Sequence, residues 1–190
     1  MIPTRWLLLA FVIITWSCQA TKPAINTPQR TLKSIQLDSL VVEDLSEDMS
    51  RLSTQVDEIF LLAFWHNDSL IHAFRQSPML EFSKANPVHP LSMPFTATSS
   101  NDRLSCFLIE LDEEQLSGQV GELCSQALFA PNFPQQFNQE RLDSLIGDDD
   151  LLGMQSIRPS AIEAPQRLTF RGRQLFDPFV YRLYWSVAKE

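Results

Sequence analysis

Three cysteines, five glycines and three histidines in 190 residues leave little room for several kinds of chemistry. A small disulfide-stapled scaffold needs cysteine at far higher density. A phosphate-cradling loop needs clustered glycine, and no such cluster stands anywhere in the chain. His66, His72 and His89 do not form an H-x-x-x-H or H-E-x-x-H spacing, and no G-x-S-x-G nucleophile elbow is present. Lys and Arg do not run together, and the formal net charge is −8. Such a chain is a poor candidate for nucleic acid or for charge-driven adhesion to anionic lipid. No apolar run approaches the roughly 20 residues that a membrane-crossing helix requires.

What is present begins with Arg5, the only charge before Lys22, followed by an apolar run from Trp6 to Trp16 broken by Thr15. A short positive region and an apolar stretch of this length form a secretory signal. The run ends in Ser17-Cys18. A small residue directly before a cysteine at this place resembles the lipobox of bacterial lipoproteins. That resemblance implies residues 1–17 as a lipoprotein signal peptide and Cys18 as the lipidated first residue of the mature chain. The other reading is cleavage after Ala20, at the small-x-small site Cys18-Gln19-Ala20. Loss of residues 1–17 removes Arg5, taking the net charge from −8 to −9. Residues 18–34 are polar with little apolar content and are expected to be a flexible tether. The residues after Cys18 hold no acidic run, which points to a periplasm-facing anchor.

Residues 35–190 read mostly as strands. Glu58–Trp65 is apolar on both faces, as a buried central strand is. His66-Asn67-Asp68 is a turn signal leading into a strand at Ser69–Phe74, so a hairpin is expected. A passage with Pro78, Pro87, Pro90 and Pro94 reads as loop, with a short strand at Phe95–Thr98. Arg103–Leu111 alternates Phe107, Ile109 and Leu111 with Leu104, Cys106 and Leu108. The period then changes. Leu116, Val120, Leu123, Ala127 and Leu128 recur at helical spacing until Pro131, and Glu140–Ile146 forms a second helix ended by Gly147. Further strands follow at Leu152–Ile157, Arg167–Phe170 and Phe179–Val187, the last with Phe179, Tyr181, Leu183, Trp185 and Val187 on one face. Together with Ile35–Val42 these make an all-β, antiparallel, eight-stranded β-sandwich. A helical insertion, residues 113–147, lies between strands five and six. Cys106 and Cys124 are open to two readings, a disulfide or two buried apolar residues.

The carboxylates cluster. Glu43, Asp44, Glu47, Asp48 and Asp57 lie at the first connection, Glu110 to Glu114 follow the fifth strand, and Asp148, Asp149 and Asp150 precede the sixth. Asp57-Glu58-Ile59-Phe60-Leu61, then Glu110-Leu111-Asp112, then Asp150-Leu151-Leu152-Gly153 stand in an order that resembles a C2 domain. The chain departs from that family at Glu58, at Glu110 and by the insertion. The resemblance implies a C2-like sandwich and a Ca²⁺ site at one end of it, built from Asp57, Glu110, Asp112 and Asp150, with Asp48 a candidate fifth ligand. Calcium's demand for 6–8 oxygen ligands suits such a convergence of acidic loops. The plainer alternative for each cluster is a solvated loop, since Asp is a common turn former.

The expected function is therefore that of a cell-envelope lipoprotein carrying a C2-like binding or assembly module, calcium-dependent or not. It is tied to the membrane by its N-terminal lipid and offers a surface to an envelope protein. A purely structural partner-docking domain is the alternative, and an envelope hydrolase comes last, because no catalytic constellation stands in the sequence.

Overall fold

In the first strand, Ile35 and Leu37 are buried in step, then Leu40 and Val42 are buried one residue out of phase. A bulge between Leu37 and Ser39 causes the slip. The extra residue, Asp38, turns to the outside and accepts the Ser186 hydroxyl at 3.0 Å. Alternation shifted by this bulge thus keeps one face of β1 (Ser34–Asp44) apolar from Ile35 to Val42.

The computed structural model describes residues 34–45, 56–96, 101–111, 118–135, 138–146, 150–158, 166–174 and 177–187. Among these described residues, nine strands and two helices follow in chain order: β1, β2 (Asp57–His66), β3 (Ile71–Gln76), β4 (Leu80–Phe82), β5 (Val88–Thr96) and β6 (Arg103–Glu110). Then come α1 (Gly118–Leu128), α2 (Gln139–Ile146), β7 (Asp150–Ile157), β8 (Arg167–Gln174) and β9 (Asp177–Val187). Sheet 1 has the order β5-β1-β9-β8. Sheet 2 has the order β3-β2-β6-β7, with β4 also pairing with β2. Every pairing is antiparallel.

The antiparallel sandwich expected from the sequence is present, with nine strands rather than eight. One stretch supplies the ninth strand, and a second is longer than expected. Leu80–Phe82 is only three residues long, too short to alternate visibly, and pairs with Asp57–Ile59. Val88–Thr96 begins seven residues ahead of the strand expected at Phe95–Thr98, because Pro90 and Pro94 make its first part read as loop. It lies at the edge of sheet 1, where a proline's missing N–H leaves no central ladder broken. The hairpin at 66–71 forms as its turn signal implies, with the Asn67 side-chain oxygen accepting the amides of Ser69 and Leu70 at 2.8 and 2.9 Å. Where β3 gives way to β4, Ser77 spans the break. Its hydroxyl accepts the Leu61 amide and its own amide donates to the Leu61 carbonyl, each at 3.0 Å.

Two cores result. Between the sheets lie Ile35, Leu37, Leu40, Phe95, Phe170, Tyr181, Leu183 and Trp185 from sheet 1, facing Ile59, Leu61, Trp65, Leu104, Cys106 and Leu108 from sheet 2. The opposite face of sheet 2 carries Phe60, Leu62, Phe64, Phe107, Ile109 and Leu151, and packs on Val120, Cys124, Leu128, Phe133 and Leu142. This explains why β2 is apolar on both faces: it is the middle of three layers. The helices of the insertion therefore cover a face of the sandwich, where the sequence leaves an edge or a partner open. Helix α1 buries Val120, Cys124 and Leu128 at i, i+4 and i+8. Asn138 caps α2, its side-chain oxygen accepting the Arg141 amide at 2.8 Å. Cys106 and Cys124 are free and lie in different cores, on opposite faces of sheet 2. The sheet between them rules out a bridge in this fold. Residues 1–33, including the signal and Cys18, lie outside the described residues.

Candidate functional site

Antiparallel register decides which acidic residues meet. Glu110, the last residue of β6, pairs with Ile59 on one side and Asp150 on the other. Asp57 begins β2, two residues from Ile59. The backbone thus brings Asp57, Glu110 and Asp150 to one end of sheet 2. Asp48 and Asp112 lie outside the described residues. Asp57 is fully buried and accepts a hydrogen bond from the Tyr181 hydroxyl across the sandwich, while Glu110 is also buried. Among the described residues no three His, Cys, Asp or Glu side chains converge as metal ligands. A carboxylate committed to a tyrosine in the core suits the joining of two sheets better than a hydrated cation, which needs several outward-facing oxygens.

At the other end of sheet 2 lies a polar layer that the sequence does not reveal. The Trp65 indole donates to Asp102 Oδ2 at 3.0 Å, and His72 Nε2 lies 3.3 Å from Asp102 Oδ1. His66 Nδ1 is 2.9 Å from the Asn67 carbonyl and must donate to it, so in the neutral ring Nε2 accepts. Ser105 Oγ lies 2.8 Å from that Nε2, and the Ser105 and Ser156 hydroxyls are 3.0 Å apart. Burial pushes the His66 imidazole below its ordinary pKa. The bond to Asn67 opposes this, and the positive charge of Arg103 adds to it. Arg103 donates to the Phe133 carbonyl at 3.0 Å and lies 3.3 Å from Asp68, fastening the turn after α1 to the sheet.

A neutral histidine against a serine hydroxyl has the geometry of a nucleophile and its base. Access is what it lacks. Ser105 is 0% exposed, His66 is 1% exposed, and the Phe133 ring stands 5.8 Å from the imidazole. The outer histidine nitrogen is held by a backbone carbonyl, not by a carboxylate. This layer ties β2, β6 and β7 together through buried side-chain hydrogen bonds.

Between these two ends, sheet 2 and helix α1 leave a cleft of about 350 Å³, lined by Phe64, Ile71, Phe74, Gln76, Gly118, Gly121 and Ser125. Gly118, Gly121 and Ser125 recur at i, i+3 and i+7 and so present one face of α1. A Cβ added at either glycine would meet no atom within 4 Å. The floor is aromatic: the Phe64 and Phe74 rings lie 4.8 Å apart at 36°. Phe74 is 41% exposed, so the apolar floor reaches the surface. None of these residues stands out in the sequence. The available signal is Gly118-x-x-Gly121 opening a helix whose other face is apolar, together with Phe74 on a strand next to a turn.

No protein-family profile matches the chain, and no curated protein matches it in sequence. Among solved structures, a C2 domain of plant extended synaptotagmin 1 is similar to it, with a TM-score of 0.38 and 9% identity over 84% of this chain and 96% of that one. Nothing that the plant domain binds passes to this chain on that ground. The antiparallel two-sheet sandwich stands on the strand order and register described above.

Proposed function

We propose that the domain is a binding module of a bacterial cell envelope that takes an apolar group of a partner into the cleft between β2–β3 and α1. The observation that carries this reading is the cleft itself: about 350 Å³, aromatic on its floor, and walled by two glycines whose missing side chains leave it open. Clefts of this size with a few polar groups at the rim are the common form of ligand site. Gln76 and Ser125 supply those polar groups here. In the assembly version of the reading, the apolar group is a side chain of another envelope protein.

The test is an apolar dye that brightens on leaving water, such as N-phenylnaphthylamine, titrated onto the purified chain. Saturable brightening is expected in the parent and its loss in Gly121→Leu, which fills the cleft. No brightening, or brightening that Gly121→Leu leaves intact, overturns the reading.

Membrane attachment through Cys18 and a periplasm-facing position complete the proposal, supported by Ser17-Cys18 directly after the apolar signal. A Cys18→Ser chain is expected in the soluble envelope fraction. One that stays as membrane-bound as the parent overturns the anchor and leaves the cleft to its own test. Calcium dependence is the second reading, favoured by the register that brings Asp57, Glu110 and Asp150 to one end. It requires Asp48 or Asp112 to complete the donors. A thermal midpoint raised by calcium and lowered by chelator supports it, and an unchanged midpoint removes it.

A further inference from the structure

The charge of this chain is divided along its length. Residues 34–157 hold 20 of the 23 carboxylates and five Lys or Arg, whereas residues 158–190 hold three carboxylates and six Lys or Arg. The fold turns that imbalance into a surface. On β8, Leu168 and Phe170 point into the core while Arg167 and Arg171 are exposed on the opposite face, and Arg173 occupies the next backbone position of the same parity. Register sets Arg167 beside Tyr184, Thr169 beside Arg182 and Arg171 beside Val180 on β9. Arg167 and Arg171 carry no ion pair among the described residues. Arg182 shows what this face does with a carboxylate: its Nη2 holds Glu43 at 2.7 Å.

We propose that the outer face of sheet 1, over β8 and β9, docks an acidic polypeptide segment in extended conformation. Complementary charge supplies the attraction. Complementary period supplies the fit: side chains on one face of a strand recur about every 6.7 Å, and the carboxylates of an extended peptide with an acid at alternate residues recur at the same spacing. A guanidinium grips a carboxylate with two parallel donors, which rewards such alignment. A local acidic segment meets only this face. A broad anionic surface, whether bilayer or nucleic acid duplex, would also face the carboxylates that dominate the rest of the domain.

The probe is a labelled peptide of alternating Glu and Thr, titrated onto the full chain at low salt. Saturable binding is expected, weakened at high salt and weakened about tenfold in R167Q/R171Q, since two solvent-facing pairs are lost. Arg75→Gln, on β3 of the other sheet, should leave it unchanged. The same peptide with Gln for Glu should not bind, a readout in the parent that does not depend on how any variant folds. Absence of binding, equal binding of the Gln peptide, or indifference to R167Q/R171Q overturns the proposal. So does arginine-dependent capture of anionic vesicles without capture of the peptide.

Discussion

At the residue scale, the buried polar groups carry the most specific consequences. Tyr181 and Asp57 join the two sheets through one hydrogen bond inside the core. Tyr181→Phe removes the donor and keeps the ring, leaving a buried acceptor short of one donor, so an unfolding titration is expected to show a loss of about 1–3 kcal/mol. His66 makes stability depend on pH. Its pKa is lowered in the folded state, chiefly by burial. The unfolded histidine takes a proton as pH falls through about 6.5, and the folded one does so only at lower pH. The His66 contribution is therefore complete above that value and is lost as pH falls below it. The slope of stability against pH below about 6.5 should flatten in His66→Gln. An unchanged slope would assign the acid sensitivity to other groups. Neither residue's role is legible in the sequence. Alternation places Tyr181 in the apolar stripe of the last strand, but its partner lies 124 positions away. His66 reads as part of a turn signal, and Ser105 as one position in an alternating strand. Period-2 patterning tells which face a residue occupies, and says nothing about which polar group stands across from it.

At the scale of elements, what is legible follows the strength of each periodic signal. The long strands β2, β6 and β9 and both helices stand close to where the patterns put them, because eight or more residues of apolar run, alternation or helical spacing leave little freedom. The short strand β4 does not, and the proline-bearing edge strand β5 is legible only at its end, where the strand expected at Phe95–Thr98 overlaps it. The arginine face of β8 and β9 escapes as well, since its members are spread at alternate positions on two strands and never form a run. Helix α1 offers a direct test of how the cleft is built. Gly121 sits inside the helix with open space where a Cβ would stand. Gly121→Ala should raise stability by about 0.8–1 kcal/mol through helix propensity alone, measured as a shift in the denaturant midpoint. Gly172 gives the opposite case. A Cβ there would lie 2.5 Å from the Phe179 ring, which packs over the bare glycine. Gly172→Ala must displace that buried ring, and a lowered melting midpoint is expected. If both alanines behave alike, the packing described for one of these positions is wrong.

At the scale of the whole molecule, the three-layer arrangement changes the meaning of the insertion. Placement between two strands suggests an appendage. In the fold its helices cover Phe60, Leu62, Phe64, Phe107 and Ile109, and each large apolar side chain so covered contributes about 1.5–3 kcal/mol over exposure. A chain in which a short Gly-Ser linker replaces residues 113–147 is therefore expected to aggregate on expression. A soluble, cooperatively melting product would mean that sheet 2 is stable without its cover. The two cysteines gain a use from the same layering. Cys106 belongs to the core between the sheets and Cys124 to the core under the helices. Burial raises both thiols, Cys124 to about 12, so neither reacts while its core is closed. Each is then a clock for one layer. Under mild denaturant the order in which an alkylating reagent marks them reports which side of sheet 2 opens first, and a partner seated in the cleft should slow the Cys124 clock while leaving that of Cys106 running at its own pace.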